Sequence, residues 1–474
     1  MKKLTVCAVV FMIVGFFSAA YAYEAIVGPT GVLKYDKSKS YGGYTLISPM
    51  TGCKTSFLID MEGNLIHKWE TDYAPGLMAM LLPNGNLLRG TRHDKRNCTV
   101  GGAAGGVQEI DWNGKVVWEY MMNTPTEIQH HCFDRMPNGN TLILGWEFKS
   151  IEDAIAKGRD PKTIPVSIFS GGVWHYGFWV DFVREVDKAG RTVWEWHVWD
   201  HVGTGPNQFD INYKLPKPVG EIYATWDWTH FNTCEYVPEK DLILLNSRNF
   251  SEFYLVDHKT GEMVYRWGNP SAYGQGKAPS WYDNGDQKIF GNHNATWLGN
   301  DRVQVFDNGS ERPEGNRSAV VEVDIRTGKI VWEFETKTSN SFYSYRQGAA
   351  QRLPNGNVHV TSTQQGHLFE VTPDKKVVWD YVNPVHNGKV KCTLEDGDSH
   401  HGSFNMIHRS YRYAADFPGL KGKDLSVKGP LAPQCPSFYR IYQEGAKVDV
   451  KAPAPVTKPA KPEDDDGPPA MKAY

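Results

Sequence analysis

The chain has 474 residues, 40% of them hydrophobic and 13% aromatic, with 46 Gly and 16 Trp. Such a mixture favours many short strands and tight turns over a helical bundle. A formal net charge of -3 supplies no basic surface for nucleic acid.

The chain opens on what reads as an export signal. Lys2 and Lys3 precede an almost wholly apolar run, Leu4 to Ala19, and Ala20-Tyr21-Ala22 is an A-x-A cleavage site. The run is short for a membrane span, so residues 1–22 are expected to be removed. The mature chain then starts near Tyr23, free of the membrane, in the periplasm or otherwise exported. Cys7 falls in the signal. Cys53, Cys98, Cys132, Cys234, Cys392 and Cys435 remain, an even number that suggests disulfides in an exported chain. Cys53 with Cys98 and Cys392 with Cys435 are the expected pairs; Cys132 and Cys234 stand as buried thiols, as a pair, or as residues that keep a metal site open.

One phrase then recurs six times: an apolar strand, a polar turn, and a second strand ending in Trp. The copies are FLIDMEGNLIHKW to Trp69, VQEIDWNGKVVW to Trp118, VREVDKAGRTVW to Trp194, FYLVDHKTGEMVYRW to Trp267, VVEVDIRTGKIVW to Trp332 and LFEVTPDKKVVW to Trp379. Apolar and polar residues alternate on both sides of the turn, which is a hairpin pattern. A second phrase follows most copies: LLPNGNLL (81–88), RMPNGNTLIL (135–144) and RLPNGNVHV (352–360), with diverged forms at 236–247 and 297–307. In its Pro-Asn-Gly-Asn turn, Pro presets one dihedral and Gly supplies a positive φ.

Four short strands per unit, six times over, predict an all-β, six-bladed β-propeller across residues 23–448. A solenoid needs a more even period. The largest insertions are expected at 146–180 and 198–226, where Trp174, Tyr176, Phe178 and Trp179 either stack on a ligand ring or pack under the loops. Residues 449–474, rich in Pro, Lys and Asp, read as a disordered tail.

In a propeller, the innermost strand of each blade lines the central channel. The strand before each Pro-Asn-Gly-Asn turn is the candidate for that place. Its entry holds Leu77, then His131 (HCFD), His230 (THFN), His293 (GNHN) and Gly348. Three histidines at equivalent positions of successive blades are expected to meet at the mouth. Asn232, two residues after His230, is expected on the same side of its strand, and Arg248 follows in LNSRNF. Imidazole can act as acid, base, nucleophile or metal ligand. Arg matches a tetrahedral oxyanion, and Asn adds a neutral donor. Without a carboxylate pair, the set points to transfer of an anionic group rather than glycoside chemistry. Two alternatives stay open: a metal-dependent hydrolase with His131, His230 and His293 as ligands, and a non-enzymatic ligand-binding propeller.

The order HCFD, THFN, NSR, GNHNATWL, VFDNGSERP resembles the bacterial arylsulfate sulfotransferases that use no nucleotide sulfate, and the likeness runs from residue 43 to the HRSYRY segment at 408–413. The resemblance implies a six-bladed propeller with its site at the channel and no cofactor. It implies an aryl sulfate donor, a phenolic acceptor and ping-pong transfer through a sulfohistidine. By that likeness His293 is the nucleophile, with His230, Asn232, Arg248 and His131 beside it; Asp134 completes the H-x-x-D pattern. No Walker-type stretch occurs, and GGAAGGVQ reads as a loop leading into a blade rather than a phosphate cradle. The chain departs from larger relatives in having little room for a separate N-terminal sandwich, and in carrying Cys132 and Cys234 beside the matched residues.

Overall fold

A computed structural model of the chain describes residues 28–433 apart from 165–167, 171–172, 176, 214–226, 337–341, 392 and 395–404, and for 168–170, 173–175 and 393–394 it describes backbone alone. The described residues lie in one compact unit that runs to Cys435. The expected signal, the expected tail, and Cys392 and Cys435 fall outside the described residues.

Six antiparallel sheets of four or five strands form the blades of a β-propeller. Blade two is typical: Ala74–Leu81, Leu87–Arg92, Gly105–Ile110 and Val116–Met121, paired in that order. The inner hairpin closes on the Pro-Asn-Gly-Asn turn, whose glycines are left-handed in each copy, Gly85 at φ 86, Gly139 at φ 87 and Gly356 at φ 84. The outer hairpin is the Trp-ending phrase. Each blade therefore joins a Pro-Asn-Gly-Asn hairpin to the Trp-ending hairpin after it, not before it. The repeat unit as spelled in the sequence is out of phase with the blade by two strands.

That phase shift leaves blade one without an inner strand, and the end of the chain supplies it. Tyr411–Tyr413 pairs with Tyr44–Ile47, and Thr55–Ile59 and Leu65–Glu70 complete the sheet. The start of the chain repays the exchange. Gly31–Tyr35 adds a fifth strand outside Val377–Val382 in blade six. Arg412 locks the junction by donating to Glu370 at 3.1 Å, to Thr45 Oγ1 at 2.7 Å and to the Tyr41 carbonyl at 2.9 Å.

The repeated Trp has a physical reason. Its indole N–H reaches a carbonyl in the outer turn of the next blade: Trp69 to Asp111, Trp118 to Lys188, Trp196 to Gly261, Trp267 to Gly328, Trp332 to Pro373, and Trp379 back to Met61, at 2.9–3.2 Å. The six clasps close a circle. In blade three the clasp is Trp196 rather than Trp194, where the phrase ended. The core lies between neighbouring sheets. Phe306 and Val320 of blade five, for example, pack on Val358, Val360 and Phe369 of blade six.

The insertion expected at 146–180 is shorter than its sequence suggested. Strands Thr141–Ser150 and Gly177–Val186 run into it from both sides, leaving a helix, Ile151–Ala156, and a small hairpin, Ile168–Ser170 with Val173–His175. Phe178 and Trp179 are buried, Trp179 beside Phe148 and Trp146. These two rings pack under the loops.

His359 shows what burial does to imidazoles in this ring. Its Nε2 lies 2.7 Å from Ser410 Oγ, on the closing segment. Burial and the Arg412 charge hold its pKa well below the ordinary 6.5. The unfolded chain therefore binds a proton below 6.5 that the folded chain refuses, and stability from this residue is lost as pH falls below that value. The stability gap between the parent protein and His359→Gln is expected to shrink below pH 6.5 by up to about 1.4 kcal/mol per pH unit. Denaturant titrations at pH 7.5 and 5.5 measure it, and a gap that holds constant or widens contradicts the account.

Candidate active site

The mouth of the channel is built by irregular backbone. The inner strands of blades two to five enter with a register shift, between Pro75 and Ala79, Gln129 and Phe133, Phe231 and Thr233, and His293 and Thr296. Leu77, His131, His230, Asn294 and Gln347 there adopt left-handed conformations, with φ between 42 and 82. For residues with a Cβ this costs about 1–3 kcal/mol each, and such strain gathers at functional sites. In blades three and four the left-handed residue is the histidine itself. In blade five it is Asn294, so His293 stands one position earlier than strict equivalence requires. The three rings converge all the same. Ring centroids of His131 and His230 are 4.7 Å apart, and those of His230 and His293 are 6.4 Å apart.

His293 is buried, and both of its ring nitrogens are accounted for. Nδ1 faces Asn308 Oδ1 at 2.7 Å and the Gly291 carbonyl at 3.1 Å. Asn308 has no freedom to turn its amide, because Nδ2 donates to the carbonyls of Ser344 and Gln347. Two acceptors on Nδ1 place the proton there and leave a lone pair on Nε2. The Gln347 N–H approaches that lone pair at a long 3.3 Å. Burial, His230 and Arg248 hold the pKa well below 6.5, so the ring is neutral. A neutral imidazole of fixed tautomer, with a lone pair on Nε2, is a competent nucleophile.

The other two histidines are each backed by a carboxylate. His230 Nδ1 is hydrogen-bonded to Asp227, which is fully buried. Burial and the neighbouring Asp181 raise the proton affinity of Asp227 well above that of a free carboxyl. The Asp227–His230 pair is thus suited to keep one proton and deliver it from His230. His131 Nδ1 lies 2.9 Å from His130 Nδ1, and His130 Nε2 lies 3.1 Å from Asp181 Oδ1. The carboxylate, close to Nε2 though not aligned for a hydrogen bond, favours the proton there. His130 Nδ1 then accepts from His131 Nδ1–H, and His131 also presents an Nε2 lone pair.

Gly102, inside the glycine-rich loop, has a role the sequence did not show. It is left-handed at φ 106, and a Cβ there would overlap the His131 imidazole. Gly102→Ala is expected to displace that ring and lower activity about 10- to 100-fold, since misplacement near 1 Å costs that much. Steady-state rates beside a thermal melt separate this from general unfolding; an unchanged rate contradicts it.

Asn232 and Arg248 meet the site differently from expectation. Asn232 lies against His293, but its amide is engaged. Nδ2 donates to the Asn292 carbonyl at 3.0 Å, and Oδ1 accepts from Asn246 Nδ2 at 2.9 Å and from the Asn294 N–H at 3.3 Å. It grips the residues on either side of His293, and this corrects the expectation of a free oxyanion donor. The bulge at Phe231–Thr233 is the cause, since i and i+2 share a face only on a regular strand. Arg248 sits in the connection between two strands of one blade, Leu242–Ser247 and Glu252–Asp257. Its N–H donates to the His230 carbonyl at 3.0 Å, and its charge depresses the proton affinities of both His293 and Asp227. Asp134 is an inter-blade tie, accepting from the Tyr236 N–H at 2.9 Å, and burial raises its pKa to about 6.

Cys53, Cys98, Cys132 and Cys234 are free and buried, so the expected Cys53–Cys98 bond is absent. Cys53 Sγ faces the Thr55 carbonyl in blade one, while Cys98 packs with Ile128, Trp146 and Trp179. Cys132 Sγ lies 3.4 Å from the Arg409 guanidinium and 3.5 Å from the Cys234 carbonyl. Burial opposes ionisation of this thiol, but the Cys234 and Arg409 contacts prevail and pull its pKa to about 5. Among the described residues, no group of three or more His, Cys, Asp or Glu is arranged to hold a metal ion.

Two residues at the mouth escaped the sequence reading. His408 and Arg409 immediately precede the closing strand. His408 is fully buried, with its ring 5.9 Å from that of His131. Arg409 donates to Thr233 Oγ1 at 3.1 Å and to the Asn232 carbonyl at 2.5 Å. The HRSYRY segment was the available signal, but only the missing sixth inner strand gives it a place.

Residues 175–401 match the family model for arylsulfotransferase (ASST). The match includes His230, Asn232, Arg248, His293, Asn308 and Gln347. No curated protein matches the chain. Among solved structures, a protein of unknown function from Bacteroides caccae is similar at 12% identity and TM-score 0.46, covering 78% of this chain and 98% of that one. A catalytically inactive variant of virginiamycin B lyase from Staphylococcus aureus, solved with quinupristin, is similar at 11% identity and TM-score 0.36, covering 75% and 84%.

Proposed function

We propose, for a chain whose residues 175–401 match the arylsulfotransferase family model, that it moves a sulfuryl group from an aryl sulfate ester to a phenol through a sulfohistidine on His293. The observation that carries this reading is the neutral, tautomer-fixed imidazole of His293, beside the His230 ring and with a lone pair left on Nε2.

In the first step the Nε2 lone pair attacks sulfur. The sulfur–oxygen bond to the aryl group breaks, and the departing phenolate takes the proton kept by His230 and Asp227. In the second step the acceptor phenol gives its proton to His230 while its oxygen attacks the same sulfur, and the sulfur–nitrogen bond breaks. Atoms and charge balance over the cycle, and two displacements through one intermediate give ping-pong kinetics. Arg248 neutralises the anion at the mouth. Asn232 and Asn308 hold His293. Export to the periplasm, as the first 22 residues suggest, belongs to the same proposal.

Mass spectrometry of the protein after brief exposure to p-nitrophenyl sulfate, without acceptor, tests it. One added sulfuryl group on the peptide containing His293 is expected. A sulfuryl group elsewhere, or none despite release of nitrophenolate, sinks the covalent route.

A further inference from the structure

His408 differs from the other imidazoles at the mouth. His131, His230 and His293 each commit Nδ1, to His130, Asp227 and Asn308. Among the described residues, neither ring nitrogen of His408 has a hydrogen-bond partner, although both are buried. Buried polar atoms are nearly always satisfied, and exceptions ask for a reason.

Slack backbone is not the reason. Ile407 pairs with Pro49, the His408 carbonyl accepts from Thr363 Oγ1 at 3.0 Å, and Ser410 is tied to Thr361 and His359. The main chain is held on both sides while the ring is left open. The ring lies beside that of His131, and its charge state is felt by His131. Burial and the adjoining Arg409 keep it neutral, so it carries one N–H and one lone pair.

The chemistry of the ligand supplies the rest. The free oxygens of an aryl sulfate are acceptors only. His293 and His131, with Nδ1 protonated, offer lone pairs rather than donors at Nε2. Arg248 brings its charge near His293, and the proton kept by His230 serves the leaving oxygen, which leaves the free sulfuryl oxygens short of donors. Resting on the sulfuryl-transfer reading, we infer that His408 is a further substrate-contacting residue, donating its free ring N–H to a sulfuryl oxygen of the bound aryl sulfate. The strand that closes the propeller thereby completes the anion site.

Equilibrium binding separates this from the covalent chemistry. In His293→Ala, which cannot form the intermediate, p-nitrophenyl sulfate binding is measured by calorimetry with and without His408→Phe and His408→Asn. His408→Phe is expected to weaken binding about tenfold, the scale of one lost hydrogen bond to a charged group. His408→Asn, which keeps a donor, is expected to recover most of the loss. Equal affinity with Phe, equal loss with Asn and Phe, or no binding to the His293→Ala parent overturns the inference. Should Phe disturb folding on a thermal melt, His408→Ala takes its place in the same comparison. The sulfuryl-transfer reading fails separately, if wild-type protein forms no sulfohistidine while His408-dependent binding persists.

Discussion

His293→Ala is expected to abolish sulfuryl transfer from p-nitrophenyl sulfate to a phenol, lowering the rate about 10⁴-fold or more, while circular dichroism stays that of the parent. Losses of that size accompany removal of a covalent nucleophile elsewhere. Asn308 and Gln347 would lose their contact with the ring, but the Asn232 grip on Asn292 and Asn294 remains, so the mouth keeps its shape. The tautomer argument adds a second expectation. Asn308 donates to two carbonyls and can offer His293 Nδ1 only its oxygen. Asn308→Leu therefore leaves the nucleophile present but freer to place its proton on Nε2, and activity falls less than in His293→Ala. The pH profile carries a third mark. A His293 pKa held well below 6.5 keeps the nucleophile neutral on the acid side. Loss of activity from its protonation should begin only below the pH at which a free imidazole titrates. Transfer persisting in His293→Ala would end the assignment.

The propeller was legible because its periodic signals have direct physical causes. Turn glycines at φ 84 to 87 repeat the Pro-Asn-Gly-Asn phrase, and indole clasps between neighbours repeat the Trp. The phase of the repeat was not legible. A hairpin reads the same whether its neighbour before or after completes the blade, and only strand pairing across 367 residues, as between Arg412 and Thr45, decides it. The same blindness hid His408. The convergence of His131, His230 and His293 followed from counting strands, yet the side-chain commitments did not. Asn232 faces its network because a bulge breaks the two-residue period. The carboxylates behind the histidines come from far along the chain or from a loop: Asp181 from the third strand of blade three, Asp227 just before blade four. The cysteines misled because an even count says nothing of distance.

Asp227→Asn tests the second half of the chemistry, and its effect should depend on the leaving group. Asp227 touches His230 rather than substrate, so it is a positioning residue whose charge lets the pair keep a proton. Burial and Asp181 raise the proton affinity of that buried carboxyl, and His230 is where the proton meets the mouth. Asparagine keeps the shape and can still accept from Nδ1–H, but it cannot hold or stabilise the additional proton. General acid catalysis contributes about 10²–10⁴-fold, and most for leaving groups that form unstable anions. With phenyl sulfate as donor, Asp227→Asn should therefore lose activity across that range. With p-nitrophenyl sulfate, whose phenolate departs readily unaided, the loss should be about tenfold or more smaller. The variant's rates should thus fall more steeply with leaving-group basicity than the parent's. A purely structural role for Asp227 predicts parallel slopes, because a misplaced His230 or a loosened mouth slows every donor alike. Parallel slopes, with both donors slowed equally, would remove Asp227 and His230 from proton transfer.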